Sequence, residues 1–421
     1  MLRSFAVMAC LLALVHESAQ RYRVCLSAIV RDEARVIERF LTNNRFAFDR
    51  FDIVDTGSVD ATPALVDAFL ATHAVRGAVH RFTWTDDFGE ARSFALERSR
   101  EAGCQHIVAI DADEEIWHAA ERRPLRDEAE RARFAAHLRS RCAALCTAEM
   151  VTRASMRWRR IFAMSADKPW QFEGARHEFI NAHGVPASDI TDYAVYAHRD
   201  QSRLGRDPNA LLKDGAALER DVARGLNIPR ALYYAGQSYE QGGDAKRALE
   251  MYRQRVARTD GWSQERFVAQ WHIGLLVQRE QGFSAAAIAE YFAAMAIDAS
   301  RAEPYYHLAL GFRGQRNYAA CFALANEGRR RRLSPAHLFA NAEAFEFGAL
   351  DEAAVCASYL PEYRVTALDY ALQLLNRRPN EQRVRDNMLW LNATLRREFD
   401  ANTLPSAQAR KRLLQLWKNP L

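Results

Sequence analysis

The feature that most constrains the fold is a change of texture near residue 205. Before it, short β-branched runs alternate with amphipathic stretches, the pattern of a parallel or mixed sheet with crossover helices. Residues 24–30 read as a buried first strand, with further strands at 51–55, 79–83 and 106–111. Later strand candidates lie at 145–152, 158–162 and 193–198. A helix is expected over 32–44, where Val36, Ile37, Phe40 and Leu41 share one face, and another over 89–102. Thr62 and Pro63 supply an N-cap and a first-turn proline for a helix between them. After residue 205 the pattern becomes almost wholly helical.

The helical part repeats itself. Gly236 is followed by Ala248, Gly274 by Ala286 and Gly311 by Ala323, each twelve residues on. Around the first glycine lie Leu232, Tyr239, Gly243 and Tyr252. Small residues let paired antiparallel helices approach closely, and aromatics fill the gaps between pairs. These positions resemble the tetratricopeptide consensus, although the second and third copies are looser and a fourth, at 339–359, is faint. Stacked pairs form a solenoid, whose usual work is to bind peptide or protein, and repeats also mediate self-association into homo-oligomers. The expected domains are a hydrophobic extension (1–20), an α/β domain (21–205), repeats (206–360) and a C-terminal helical extension (361–421).

Composition narrows the class further. Over 421 residues, 49% are apolar and 26% charged, which excludes a disordered, collagen-like or disulfide-dense chain. At roughly 150 residues per domain the length accommodates two or three cores. The net charge of +5 is too small to imply nucleic acid. It also divides unevenly: residues 1–205 carry 28 basic and 29 acidic side chains, residues 206–421 carry 30 and 24. The basic excess therefore belongs to the helical half, where it favours an acidic partner.

Seven cysteines stand at 10, 25, 104, 142, 146, 321 and 356, with no C-x-x-C. Cys142 and Cys146 lack a second pair at zinc spacing, so buried structural thiols in a reducing, cytoplasmic compartment are expected. At the N-terminus, Arg3 precedes an apolar run over 5–15, followed by His16, Glu17 and Ser18. That run has signal-core length but is too short to span a bilayer, which takes roughly 20 residues. A cleaved signal, a short anchor and an N-terminal helix are the alternatives.

The strongest chemical signal is Asp111-Ala112-Asp113 directly after the apolar run 106–110. Two carboxylates at the carboxyl end of a strand can converge on one hard cation, in the crevice where open α/β sheets bind ligands. A second segment, Asp55-Thr56-Gly57-Ser58-Val59-Asp60, also ends a strand. Its Asp55 and Asp60 can accept hydrogen bonds from ribose or a base. A third, Trp84-Thr85-Asp86-Asp87-Phe88-Gly89-Glu90-Ala91-Arg92-Ser93, carries Arg92, whose guanidinium suits a diphosphate or the acidic loop.

In this order, and with Arg31-Asp32-Glu33 after the first strand, the blocks resemble the family 2 glycosyltransferases of the GT-A fold over roughly residues 22–200. The resemblance is closest to members fused to tetratricopeptide repeats, among them the bacteriocin S-glycosyltransferases. Ser93 departs from the asparagine usual after the arginine. The resemblance implies an inverting hexosyltransferase that uses a nucleotide-sugar donor, most often a UDP-sugar. It further implies Mn²⁺ or Mg²⁺ held chiefly by Asp113, with Asp111 on the metal or the donor's ribose, and Arg31, Glu33, Asp55, Asp60 and Arg92 on the donor side. The catalytic base would be Glu178 in Arg176-His177-Glu178, with Asp192 and Glu173 as alternatives, and His177 or His198 would complete the metal shell. The acceptor, polypeptide or glycan, would be recruited by the repeats.

Bland readings stand beside these. Arg329 to Arg332 read as a solvated helix end, and Met156 to Arg160 as a strand with one charged face, although an acceptor-side position suits it too. No G-x-x-x-x-G-K-[ST] or G-x-S-x-G occurs, against a P-loop nucleotidase or an α/β-hydrolase. The competing functions are an inactive repeat scaffold with a glycosyltransferase-like domain, and a nucleotidyltransferase. The latter would need a Gly/Lys-rich loop that Arg31-Asp32-Glu33 does not supply.

Overall fold

A computed structural model describes residues 22–152, 157–182, 184–198, 207–334 and 336–418. The apolar N-terminal run, Cys10 and Met156 lie outside them. The chain forms two compact units, one ending at Ala231 and the other beginning at Leu232.

The first unit is built on a nine-stranded mixed sheet ordered β3-β2-β1-β4-β8-β7-β11-β5-β6. Its strands are β1 (Tyr22–Val30), β2 (Arg50–Asp55), β3 (Arg76–Arg81), β4 (Cys104–Ala109), β5 (Glu114–His118), β6 (Arg123–Pro124), β7 (Leu145–Thr152), β8 (Arg157–Ser165) and β11 (Ala187–Ala197). A small hairpin joins β9 (Phe172–Glu173) to β10 (Phe179–Ile180). β1 pairs in parallel with β2 on one side and β4 on the other. The chain therefore leaves β1 in one direction and returns on its far side, which makes a topological switch point beside β1 and β4. Four helices accompany the sheet: α1 (Ile37–Asn44), α2 (Thr62–Thr72), α3 (Phe88–Glu101) and α4 (Glu128–Arg141). Val24, Leu26, Ile37, Phe40, Phe51, Ile53, Val108 and Phe134 form one core. Cys25, Leu96, Cys104, Ile107 and Met164 form a second.

Several expectations shift. The helix predicted from residue 32 starts at Ile37, because Asp32 takes a left-handed φ of 55° and ends the turn after β1. Thr62 is the first residue of α2 and not its cap: its hydroxyl accepts from Glu33 N at 2.8 Å instead. β5 and α4 fall in a stretch assigned no element, since Glu114-Glu115-Ile116-Trp117-His118 offers no plain alternation. The first unit also runs past the change of texture and includes α5 (Ala210–Ala223).

The six cysteines among the described residues are buried but paired. Disulfides join Cys25 to Cys104, Cys142 to Cys146 and Cys321 to Cys356, in place of the expected thiols. Cα separations of 5.4 to 6.1 Å put each pair within bridging range. Sequence spacing could not show the first pairing, which joins neighbouring strands, or the third, which joins two helices.

The second unit is helical. Antiparallel pairs are formed by α6 (Ile228–Gln241) with α7 (Ala245–Ala257), α8 (Ser263–Gln281) with α9 (Ala285–Ile297), and α10 (Glu303–Gly314) with α11 (Tyr318–Gly328). A short π-helical turn (Ala344–Gly348) leads to α12 (Ala349–Ser358), α13 (Arg364–Arg377), α14 (Gln382–Asp400) and α15 (Ala407–Lys418). The pairs follow the repeat glycines. A Cβ on Gly236 would lie 2.5 Å from the Tyr252 ring, and one on Gly274 would lie 2.8 Å from Tyr291. The alanine half of the pattern is correct only once. Ala248 is buried, whereas Ala286 and Ala323 are exposed and Ala287 and Ala325 take the inner places. The glycines sit at different depths in helices of unequal length, so a fixed twelve-residue step drifts off the inner face. No helix among the described residues is long and apolar enough to cross a membrane.

Candidate functional site

The carboxyl ends of β1, β2 and β4 lie side by side, with Val30 opposite Asp55 in register. The loops that follow them carry the candidate residues. After β1, Arg31 is exposed and Asp32 N donates to Ser58 Oγ at 2.9 Å, while Asp32 Oδ1 accepts from Val59 N at 2.8 Å. Asp55 is buried at the end of β2 and accepts from Ser58 N at 3.1 Å across the turn that Gly57 makes with φ 104°. Asp60 braces the same turn: its oxygens accept from Ala34 N at 3.1 Å and Thr62 N at 2.9 Å. Glu33, Asp55 and Asp60 thus share one corner, with Asp60 in its framework.

Beyond β4 the chain turns so that Asp111, Asp113 and Glu114 offer carboxylate oxygens within 4.8 Å of one another. Glu114 Oε2 accepts from Asp111 N at 2.9 Å, closing the turn onto β5. Arg160 on β8 is bonded to Glu114 and lies 4.0 Å from Asp111 Oδ2. Burial, with Asp111 and Asp113 adding their charge, pushes the Glu114 carboxyl up to about 7 against the pull of Arg160. Burial would also raise Asp111, but Arg92 and Arg160 outweigh it and hold that carboxyl below its ordinary value.

Arg92 links the cluster to the third motif. Its Nη2 donates to Asp111 Oδ1, and its Nε donates to Glu178 Oε1 at 2.5 Å. Desolvation works against this guanidinium, but the two carboxylates more than compensate and raise it further above its ordinary value. α3 is held in register by Asp87, whose side chain caps Glu90 N at 3.0 Å. The loop carrying Glu178 docks on the start of α3, with Gly89 N donating to Gly174 O at 3.2 Å. A Cβ on Gly89 would lie 2.9 Å from that carbonyl, so only glycine permits the approach. Ser93, the departure from the family pattern, accepts from Phe172 N at 2.9 Å and ties α3 to β9. Arg176 clamps the loop from behind through Asp214 at 2.5 Å and Asp86 at 2.6 Å.

Of the three carboxylates considered as base, Glu178 alone is joined to the cluster through Arg92. Glu173 accepts from Asn181 Nδ2 at 2.6 Å within the hairpin. Asp192 lies 3.3 Å from His137, beside Tyr193 and far along β11. The two histidines stand outside the carboxylate group. His198 N donates to Asp113 O at 2.9 Å, but the ring is bonded to Glu115, which also accepts from Asn43 Nδ2 at 2.7 Å and Trp117 Nε1 at 3.0 Å. His177 takes a left-handed φ of 51°, and its carbonyl accepts from Arg230. Desolvation by surrounding protein lowers its imidazole to about 4, although the residue as a whole keeps exposed surface.

Sequence reasoning missed Glu114, Glu115 and Asp86, and gave Arg160 no definite part. The run Asp113-Glu114-Glu115 was the available signal, because consecutive acids at a strand start are costly unless something offsets them. The expected solvated end at Arg329 to Arg332 is consistent with local pairing: Arg330 bonds Glu327 and Arg331 donates to Tyr305 Oη at 2.8 Å.

The donor set fits a hard divalent cation, since all three side chains present carboxyl oxygen and none presents sulfur or nitrogen.

No protein-family model matches the chain. A TPR repeat-containing protein of Synechococcus elongatus is 39% identical over 94 residues, which are 22% of this chain and 21% of that protein. The match therefore spans about a fifth of the relative's length. Among solved structures, the C-terminal part of a TPR repeat-containing protein from Cytophaga hutchinsonii aligns with TM-score 0.34 at 15% identity, over 51% of this chain and 76% of that one. MamA aligns with TM-score 0.32 at 19% identity, over 44% of this chain and 96% of its own. The C-terminal region is a helical repeat scaffold that resembles tetratricopeptide folds, joined to a large mixed sheet.

Proposed function

We propose that the sheet-bearing unit is a metal-dependent, inverting glycosyltransferase of the GT-A type and that the helical repeats recruit its acceptor. The observation that carries this reading is the grouping of Asp111, Asp113 and Glu114 at the carboxyl end of β4, beside the switch point at β1. Asp113 and Asp111 would hold Mn²⁺ or Mg²⁺, with Glu114 behind them. The cation, when bound, neutralises charge on a leaving diphosphate. Asp55 and Glu33 line the corner where a nucleoside would sit, and a UDP-sugar is the donor this family most often takes. Arg92 orients both Asp111 and Glu178. In a single displacement an acceptor O–H or S–H attacks the anomeric carbon and its proton passes to Glu178. The bond from that carbon to the diphosphate oxygen breaks, and the electron pair leaves with the nucleoside diphosphate.

The test is release of UDP from UDP-sugars with and without Mn²⁺, alongside a thermal-shift screen of nucleotide sugars. Wild type should release UDP only with the metal. Asp113→Ala should lose at least about a hundredfold in rate while keeping its melting temperature. If the wild type releases no UDP and binds no nucleotide, the repeat scaffold with an inactive sheet domain becomes the better account.

A further inference from the structure

The first unit holds a second cluster that this mechanism leaves unused. Cys25 on β1, Cys104 at the start of β4 and Asp52 on β2 are all buried, and their sulfurs and a carboxylate oxygen lie within 4.8 Å of one another. β1 lies between the other two strands, with Ser27 opposite Asp52 in register and Cys25 two positions before it. Asp52 is fully buried. Its Oδ1 accepts from Arg50 Nε at 2.9 Å and lies 3.4 Å from His80 Nε2 on β3. Its Oδ2 has no hydrogen-bond partner. A buried carboxylate oxygen left unpaired costs about 1–3 kcal/mol, so a group that satisfies it has a ready place.

We propose that, with the Cys25–Cys104 disulfide reduced, these two cysteines and Asp52 form a closed structural site for a thiophilic divalent cation of the zinc type. A dithiol reductant supplies the two electrons and two protons that open the bridge, and itself leaves as a disulfide. The cation then displaces both thiol protons and bonds two thiolate sulfurs and one Asp52 oxygen. Tetrahedral Zn–S bonds of about 2.3 Å need the sulfurs roughly 3.7 Å apart, a modest opening from the bonded pair. Charge balances: two thiolates offset the cation, while Arg50 remains on Asp52 at 2.8 Å. The His80 imidazole, with Nε2 3.4 Å from Asp52 Oδ1, offers a nitrogen for a fourth position. Asp111 follows the far end of the strand that Cys104 opens, roughly 20 Å away at the rise of an extended strand. The two metal sites are therefore separate.

Cobalt(II) titration of the reduced full chain tests the proposal. Cys321 and Cys356 also lie near a carboxylate, that of Glu352, so the host carries Cys321→Ser and Cys356→Ser. The expected result is a thiolate-to-cobalt charge-transfer band that saturates at one equivalent. Cys25→Ser and Cys104→Ser should abolish it, Asp52→Asn should weaken cobalt binding by about tenfold or more, and Asp113→Ala should leave it unchanged. A natively folded reduced host without the band overturns the proposal, as does a band that survives in Cys25→Ser. Should Cys25→Ser and Cys104→Ser not fold, Asp52→Asn decides in the same host: unchanged cobalt affinity overturns the site.

Discussion

The two units place their charged side chains differently. In the sheet unit, charged side chains from distant parts of the chain meet at one edge: Arg92 joins Asp111 and Glu178, and Arg160 joins Glu114. In the helical unit the tight contacts are apolar and recur with the helix pairs, Gly236 against Tyr252 and Gly274 against Tyr291. Charge is buried there too: Arg301 and Glu303 pair at 2.7 Å with both side chains fully buried, and Glu240 accepts from Tyr252 Oη at 2.9 Å and lies 2.7 Å from His272 Nδ1. One unit concentrates unlike charges where loops leave a sheet. The other spreads stability evenly along a stack. A perturbation should accordingly act mainly through charge pairs at the sheet edge in the first, and through packing and buried titratable groups in the second.

The sharpest way to break that contrast is Arg92→Ala. It leaves Asp111 and Glu178 side by side without their shared cation and should cost about 3 kcal/mol in the sheet unit. Equilibrium denaturation should show one transition shifted and the other in place; a shift of both would mean the units do not unfold separately. In the repeats, Gly236→Val should cost about 2–3 kcal/mol through overpacking, because Tyr252 is fully buried and cannot retreat. A variant as stable as wild type would show that this helix pair is looser than its geometry.

Acid should act on the repeats through His307. Its ring stacks on Tyr291 with centroids 5.6 Å apart and lies 5.9 Å from Trp271. Desolvation lowers its imidazole to about 4 from an ordinary 6.5. The unfolded chain therefore takes up the proton first. The stabilisation is complete above the ordinary value and is lost as pH falls through 6.5 toward 4. Between pH 7 and pH 5 the loss should be about 2 kcal/mol, and His307→Phe should flatten the dependence. The smallest effect should be equal in both units. Asp127 and Asp244 cap α4 and α7 in the same manner, by accepting from Glu130 N at 2.8 Å and Arg247 N at 3.0 Å. Alanine at either should cost about 1 kcal/mol, and unequal costs would place extra work on one of the two caps.

Much of the site was legible in the sequence because strand ends are. An apolar run followed by acids or glycine announces where a chain leaves a sheet, and Asp55 and Asp111 lie at such places. Glu178 was legible only through family resemblance. Its link to Asp111 depends on Arg92, donated by a helix that the Gly174 loop happens to meet. Glu114 and Arg160 were obscured for another reason: one lies in a stretch given no element and the other belongs to a run read as a charged strand face. His198 looked like a ligand because it ends a strand near Asp113, and yet the buried Glu115 claims its ring.

From the sequence alone come the division into an α/β half and a helical half, the places of the first strands along the chain, and the glycine rhythm of the repeats. These follow from local patterning, since side-chain period and backbone preference act over a few residues. Tertiary structure alone decided which carboxylates converge, which histidines stand aside, that Asp60 braces a turn, and that Cys25 meets Cys104 across neighbouring strands. Those outcomes depend on strand order and on the burial of charge, which force distant side chains to pair and which no short stretch of sequence encodes.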